Sequence, residues 1–286
     1  MNNPAHISQV YKAQMTNAEF RKLSRFITQQ AGIKMPDVKK VMLQSRLQKR
    51  LRHLHMTSFK EYVDYVFSEE GLQNELIHML DVVSTNKTDF FREPIHFEFL
   101  EKHILPEYIR EFPLNRPLKI WSAGCSSGEE VYTIAMTIGE FQKDHPGLDY
   151  SILGTDISSH ILQKAVDAIY KEEKTAVMPL ELKKKYLLRS KDRSRKLVRI
   201  VPELRKKAVY KRLNFMDERY PVEDTFDVIF CRNVLIYFSR EKQEMVIRKL
   251  ISKLRRGGYF FIGHSESIMG LDVPLQQMRP TIFKRI

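Results

Sequence analysis

From Leu118 onward the chain alternates short apolar runs with amphipathic stretches, and this alternation limits its fold more than any other feature. "LKIWSAG", "YSILGTDI", "AVYKRLNF", "FDVIFC" and "GYFFIGH" read as strands, and "PTIFKRI" as a closing one. "SGEEVYTIAMTIGEF", "SSHILQKAVDAIY" and "REKQEMVIRKLISKLRR" read as the helices among them. Strands apolar on both sides need cover on both faces, so the pattern predicts a mainly parallel sheet between helical layers. In such a sheet ligands bind beyond the carboxyl ends of the strands. The residues at those ends are therefore the first candidates for chemistry.

Residues 16 to about 83 carry only helical periods. Thr16 with Glu19 spells a capping box, followed by Phe20, Leu23, Phe26 and Ile27 at helical spacing. A second helix is expected from near Pro36, with a stripe of Leu43, Leu47, Leu51 and Leu54. A third contains Phe59, Tyr62, Val63, Val66 and Phe67, and a fourth follows Gly71. Pro94 suits the first turn of another helix, "IHFEFLEKHILPEYIREF". The 286 residues thus divide into an all-helical domain over 1–83, a linker over 84–93 and an α/β domain over 94–286. At about 186–211 neither period holds, and short antiparallel strands are expected there as an insertion. It is very basic: fourteen Lys or Arg lie between Lys183 and Arg212, against the two acids Asp192 and Glu203.

Bulk properties exclude several classes. The chain is 43% hydrophobic, as a globular protein is. No apolar run approaches the roughly 20 residues of a membrane span. "MNNPAHISQVYKAQM" lacks the apolar stretch of a signal peptide. Two cysteines, Cys125 and Cys231, are too few for a disulfide framework or a zinc knuckle, and no metal set is read from the sequence. A reduced, cytoplasmic protein is expected. Its net charge of +13 implies an anionic partner without identifying it.

The loops after the strands are more specific. In "SAGCSSGEE", Gly124 and Gly128 permit a tight turn, but this is not G-x-G-x-x-G, and Glu129 with Glu130 would repel phosphate. The turn either meets a cationic ligand group or only links strand to helix. Asp156, ending "GTD", either accepts from ribose hydroxyls or caps the following helix. Asn214 and the pair Arg232-Asn233 either read a ligand or settle their own turns. A ribose and adenine site without a phosphate loop points to S-adenosylmethionine, whose sulfonium is cationic. In "GHSE", His264, Ser265 and Glu266 are adjacent and cannot converge as a triad. The two cysteines read as packing residues.

Five stretches together resemble the CheR-type chemoreceptor glutamate methyltransferases: "STNKTDFFRE", "WSAGCSSGEE", "GTDI", "FDVIFCRNVLIYF" and "GGYFFIGHSE". They stand in family order, and the helical domain matches too, so the resemblance covers almost the whole chain. It implies a Rossmann-like S-adenosylmethionine-dependent methyltransferase sheet with an N-terminal all-helical domain and a small antiparallel β insertion. It also implies methyl transfer to glutamates of bacterial chemotaxis receptors, giving methyl esters in sensory adaptation, with S-adenosylhomocysteine as product. The positions matching cofactor contacts are Asn86, Thr88, Arg92, Ala123, Glu129, Asp156, Asn214, Phe215, Asn233 and Val234. Glu129 matches the partner of the methionine amino group. Arg92 and Tyr237 match the side chains beside the transferred methyl.

On the second helix Arg46, Lys49, Arg50 and His53 follow helical spacing and, with Lys39, form a basic ridge. The resemblance makes them the residues that engage the acidic, methylatable side of the receptor's cytoplasmic helical bundle. In some members the insertion tethers a receptor's carboxyl-terminal pentapeptide. Those members favour glycines where this chain has "RSKDRSRKL", which counts against a tether here. The rival suggested by charge, a nucleic-acid methyltransferase, often carries a Pro-Pro-aromatic run after the fourth strand. "CRNVLIYF" has no proline, so no nucleic-acid partner is expected. Neither is membrane insertion, and the chain is expected to be a monomer.

Overall fold

The computed structural model describes residues 9–113 and 115–286. Its amino-terminal part is all helix: α1 (Asn17–Ala31), α2 (Lys40–His53), α3 (Phe59–Val66), α4 (Glu69–Asn74) and α5 (Leu76–Val83). The capping box at Thr16 forms as spelled, with the Glu19 side chain returning to the Thr16 backbone. A 3-10 turn, Asp37–Lys39, leads into α2, whose Leu43, Leu47 and Leu51 are buried. Leu54 lies past the helix end and is half-buried. The fourth helix starts earlier than its sequence suggests, at Glu69, because Ser68 Oγ accepts from Gly71 N at 3.0 Å and caps it. Gly71 is a packing glycine: a Cβ there would lie 1.9 Å from the Tyr65 carbonyl oxygen.

The linker leads to α6 (Ile95–Phe99) and α7 (Leu105–Glu111), joined by a π turn over Leu100–Ile104. Pro106 has no N–H to offer the carbonyl four residues back, so the helix widens instead of breaking.

The α/β domain adds β1 (Leu118–Ala123), α8 (Glu129–Phe141), β2 (Tyr150–Asp156), α9 (Ser159–Asp167) and β3 (Ile169–Lys171). Next come α10 (Leu180–Tyr186), β4 (Leu187–Arg189), β5 (Leu197–Ile200), α11 (Pro202–Arg205) and β6 (Ala208–Arg212). β7 (Phe226–Cys231), α12 (Arg240–Ser252), β8 (Leu254–Ile262), β9 (Leu275–Arg279) and β10 (Ile282–Arg285) complete it. The main sheet has the order β6-β2-β1-β7-β8-β10-β9. It is parallel from β6 through β8 and antiparallel over β10 and β9.

All six residues of β7 are buried, which places the strand in the middle of the sheet. Val228 and Phe230 join the core under α6 to α8, whereas Ile229 and Cys231 join the opposite core against α12. Asp227, buried in this apolar strand, is held by Arg116 and Arg255, each at 2.8 Å, and by the Lys119 N–H at 2.9 Å. The helical domain has its own core.

Four expectations change. The tail of "SSHILQKAVDAIY" is β3: Ala168 turns left-handed at φ 54° and ends α9. "LRR" opens β8 rather than ending α12, and Leu275–Arg279 is a strand not read from the sequence. The small antiparallel sheet, β3-β5-β4, takes its first strand from before the basic stretch. Among the described residues, no helix is long and apolar enough to cross a membrane.

Candidate active site

The strand order reverses between β1 and β7: β2 and β6 extend one way from β1, β8 the other. Beyond the carboxyl ends of β1 and β7 opens a cleft of about 1050 Å³, its mouth included. That is the position at which open α/β sheets bind ligands. Loops after β1, β2, β6 and β7 form the floor. The linker from Val83 to Arg92 forms one wall, and Ala31, Ile33, Met35, Lys39 and Met42 of the helical domain form another.

Eight of the ten positions expected at the cofactor line this cleft: Asn86, Thr88, Arg92, Asp156, Asn214, Phe215, Asn233 and Val234. Tyr237 lines it too. Ala123 and Glu129 lie behind the lining, which is formed there by Gly124, Cys125, Ser126 and Glu130. Glu129 is buried and accepts from Ser127 Oγ at 2.6 Å. Gly124 has φ 87°, and a Cβ on it would lie 2.4 Å from Val234 Cγ2. Only glycine fits between the two loops.

Asp156 serves both loops at once. One oxygen accepts from Ser126 N at 2.9 Å and the other from Ser158 N at 3.0 Å. The helix cap itself is Ser158, whose hydroxyl accepts from Ile161 N. Burial pushes the Asp156 carboxyl up, and the backbone N–H groups of Ser158, Ser126 and Ile157 pull it back. Asn214 is committed to the fold: its amide donates to the Gln30 carbonyl at 2.7 Å and accepts from Met216 N at 3.0 Å. Its side chain therefore joins the two domains at the cleft's edge.

Arg232 stands at the end of β7 as a brace. It is buried, pairing with Glu130 and with Glu93 at 3.0 Å each, and donating to the Arg92 carbonyl. Glu130 also accepts from Ser122 Oγ at 2.6 Å, and its carboxyl is raised by burial against the pull of Arg232. Arg92 is thus fixed through its backbone, while its guanidinium reaches the Lys87 carbonyl at 3.0 Å. Phe91, Glu93, Ser126 and Asn233 all have φ between 51° and 59°. Left-handed backbone at non-glycine residues is costly and clusters where a site requires it.

Tyr237 follows Asn233 in a 3-10 turn, Leu235–Tyr237. Its carbonyl accepts from Lys34 N at 2.9 Å, and Lys39 Nζ lies 5.8 Å from its ring centre. Burial, then the charge of Arg46, lowers the Lys39 pKa.

The basic ridge is divided. Arg46 donates to the carbonyls of Val83 and Ser84 and to Thr85 Oγ1, bracing the linker. Arg50 grips buried Glu75 through two bonds of 2.8 and 2.7 Å, with the Tyr62 hydroxyl on the same carboxylate. Lys49 and His53 are exposed.

The carboxylate of Glu93 escaped the sequence reading, Glu130 was read only as half of an acidic pair, and the turn-holding role of Glu266 was not read. Glu266 lies in the "GHSE" run set aside as structural, and it accepts from the backbone N–H groups of Gly263, Asn233, Leu235 and Ile236. It shapes the turn that carries Asn233 and Tyr237. Cys125 and Cys231 are free and buried, and burial raises both thiols.

Comparison with known proteins shows the family. Residues 86–283 match the family described as "CheR methyltransferase, SAM binding domain", and residues 18–84 match "CheR methyltransferase, all-alpha domain". A chemotaxis protein methyltransferase of Borreliella burgdorferi is 39% identical over 276 residues, covering 95% of each chain. The chemotaxis protein methyltransferase of Escherichia coli is 34% identical over 258 residues, covering 90% of this chain and 87% of that one.

Proposed function

Since the chain belongs to the CheR methyltransferase family, we propose that it moves the methyl group of S-adenosylmethionine onto glutamate side chains of chemotaxis receptors, leaving glutamyl methyl esters that serve sensory adaptation. One observation carries this reading: Asp156, the strained turns at Ser126 and Asn233, Arg92 and Tyr237 converge on one cleft between the two domains.

The lining suits the cofactor. Asp156 retains acceptor capacity for ribose hydroxyls, and Ile157, Phe215 and Val234 offer apolar surface for a base. Bound there, S-adenosylmethionine supplies a methyl group on a positively charged sulfur. A glutamate with a pKa near about 4.3 is already ionised at neutral pH, so no general base is needed. The residues' work is alignment, worth up to about 7–11 kcal/mol in favourable cases. Arg92 orients the incoming carboxylate with its fork of donors. Tyr237 packs beside the path of transfer. Held too firmly, the carboxylate would be stabilised more than the transition state, so orientation is the role assigned to Arg92. The substrate is the cytoplasmic helical bundle of the receptor, and the enzyme acts as a cytoplasmic monomer.

The test is transfer of tritiated methyl to chemoreceptor-containing membranes. Label lost in alkali, with none on RNA or DNA, is the expected result, and label stable to alkali refutes ester formation. Arg92→Ala and Tyr237→Phe should each lower turnover by about tenfold or more, as for a misplaced reacting group. Unchanged turnover in both variants removes the two residues from the reacting centre.

A further inference from the structure

Outside the cleft's lining, Glu93 of the linker, His96 in α6 and His264 after β8 bring one ligand atom each within 4.8 Å of one another. Glu93 and His96 stand three residues apart, and His264 joins them from 168 residues further along the chain.

The contacts of His96 favour one tautomer. Its side chain is fully buried, and Nε2 lies 2.7 Å from Thr281 Oγ1. The hydroxyl of Thr281 spends its only hydrogen on the Pro280 carbonyl, at 2.5 Å. With that bond its oxygen accepts from Nε2–H, the tautomer that leaves the Nδ1 lone pair free. That lone pair has no hydrogen-bond partner among the described residues, and it faces Glu93 Oε2 at 3.5 Å. Glu93 accepts from the Arg232 guanidinium, the Asn233 amide and the His264 N–H. Two acceptors thus point at each other in a buried place, an arrangement that a cation between them relieves. His264 Nε2, 4.0 Å from the same Glu93 oxygen and on a ring half open to solvent, supplies a third ligand and a way in. Glu93 and Glu130 outweigh Arg232 by one negative charge, so a cation is also welcome electrostatically.

We propose that Glu93, His96 and His264 bind a divalent transition-metal ion of the zinc class through two imidazole nitrogens and one carboxylate oxygen. This donor set suits zinc or cobalt better than magnesium or calcium, which prefer oxygen. Tetrahedral ligands at about 2.0–2.1 Å from the ion stand about 3.4 Å from one another, so the exposed His264 ring swings inward on binding. The ion ties the linker to the end of β8, behind the turn that presents Arg92. Its role is to stiffen this wall, apart from methyl transfer.

The test uses the full chain, stripped with a chelator and titrated with cobalt(II) and zinc(II) chloride. One equivalent of cobalt should bind with the visible absorption of a tetrahedral site, and zinc should raise the melting temperature. His264→Ala, at an exposed position, should fold normally, lose at least tenfold in affinity and lose the thermal shift. His264→Cys should restore binding and add a thiolate-to-cobalt charge-transfer band. Equal affinity in the wild type and His264→Ala, or His264→Cys without the new band, overturns the site and leaves a water or proton between the two acceptors.

Discussion

At the scale of single residues, Glu266 does the most with the fewest atoms. Its carboxylate collects four backbone N–H groups, at 2.5 Å from Gly263, 2.6 Å from Leu235, 2.9 Å from Asn233 and 3.4 Å from Ile236. Burial raises its pKa, and those donors pull the other way. Glu266→Gln replaces one acceptor oxygen by a donor aimed at other donors. The cost should be about 2 kcal/mol, typical of a lost charged hydrogen bond in a buried place. Chemical denaturation should show it as a lower midpoint, and calorimetry should show weaker binding of S-adenosylmethionine because Asn233 loses its anchor. An unchanged midpoint would mean that the turn holds itself. A carboxylate that satisfies backbone groups leaves no spacing in the sequence, which is why "GHSE" read as merely structural. Asp156 and the Gly124 turn were legible because they sit at ends of apolar strands.

Among elements, the end of α8 is pinned to α10 by Glu140. It accepts from Lys185 Nζ at 2.9 Å, Tyr186 Oη at 2.7 Å and Lys143 Nζ at 2.5 Å. Burial raises its carboxyl, but these bonds outweigh it and bring the pKa to about 2. A carboxyl depressed in the fold stabilises above its unfolded value, and that stability fades as pH falls from about 4.5 toward 2. The site is partly open to water, so the contribution at pH 7 is discounted to about 1 kcal/mol. Glu140→Gln should therefore lower the melting temperature at pH 7, and the gap should narrow at pH 3.5. A gap that does not change with pH would assign the effect to packing. The elements that the sequence hid are short and local in cause. Ile169–Lys171 continues a helical period, and only the left-handed turn at Ala168 diverts it. Leu275–Arg279 is an edge strand with mostly exposed residues, so it has no apolar signature. The central strands, buried on both faces, could be read directly.

Over the whole molecule, two domains close on one cleft. Asn214 reaches the Gln30 carbonyl and Lys242 the Thr28 carbonyl, both at 2.7 Å. The net charge of +13 suits an anionic partner. The sequence places Lys49 and Arg50 on one ridge, but they do different work. Arg50 is held by Glu75, whose side chain is almost fully buried, whereas Lys49 is exposed on α2. Arg50→Glu should cost about 3–5 kcal/mol, because it leaves a buried carboxylate unpaired beside a second one. Cofactor affinity, receptor methylation and stability should fall together. Lys49→Glu should leave melting temperature and cofactor affinity unchanged while slowing methylation of receptor-containing membranes several-fold at low ionic strength. Exposed charges are screened within about 3 Å at 1 M salt, against about 10 Å at 0.1 M, so the slowing should disappear on adding salt. A deficit that persists in high salt would mean that Lys49 acts through a direct contact. No deficit at any salt would move the docking face off α2.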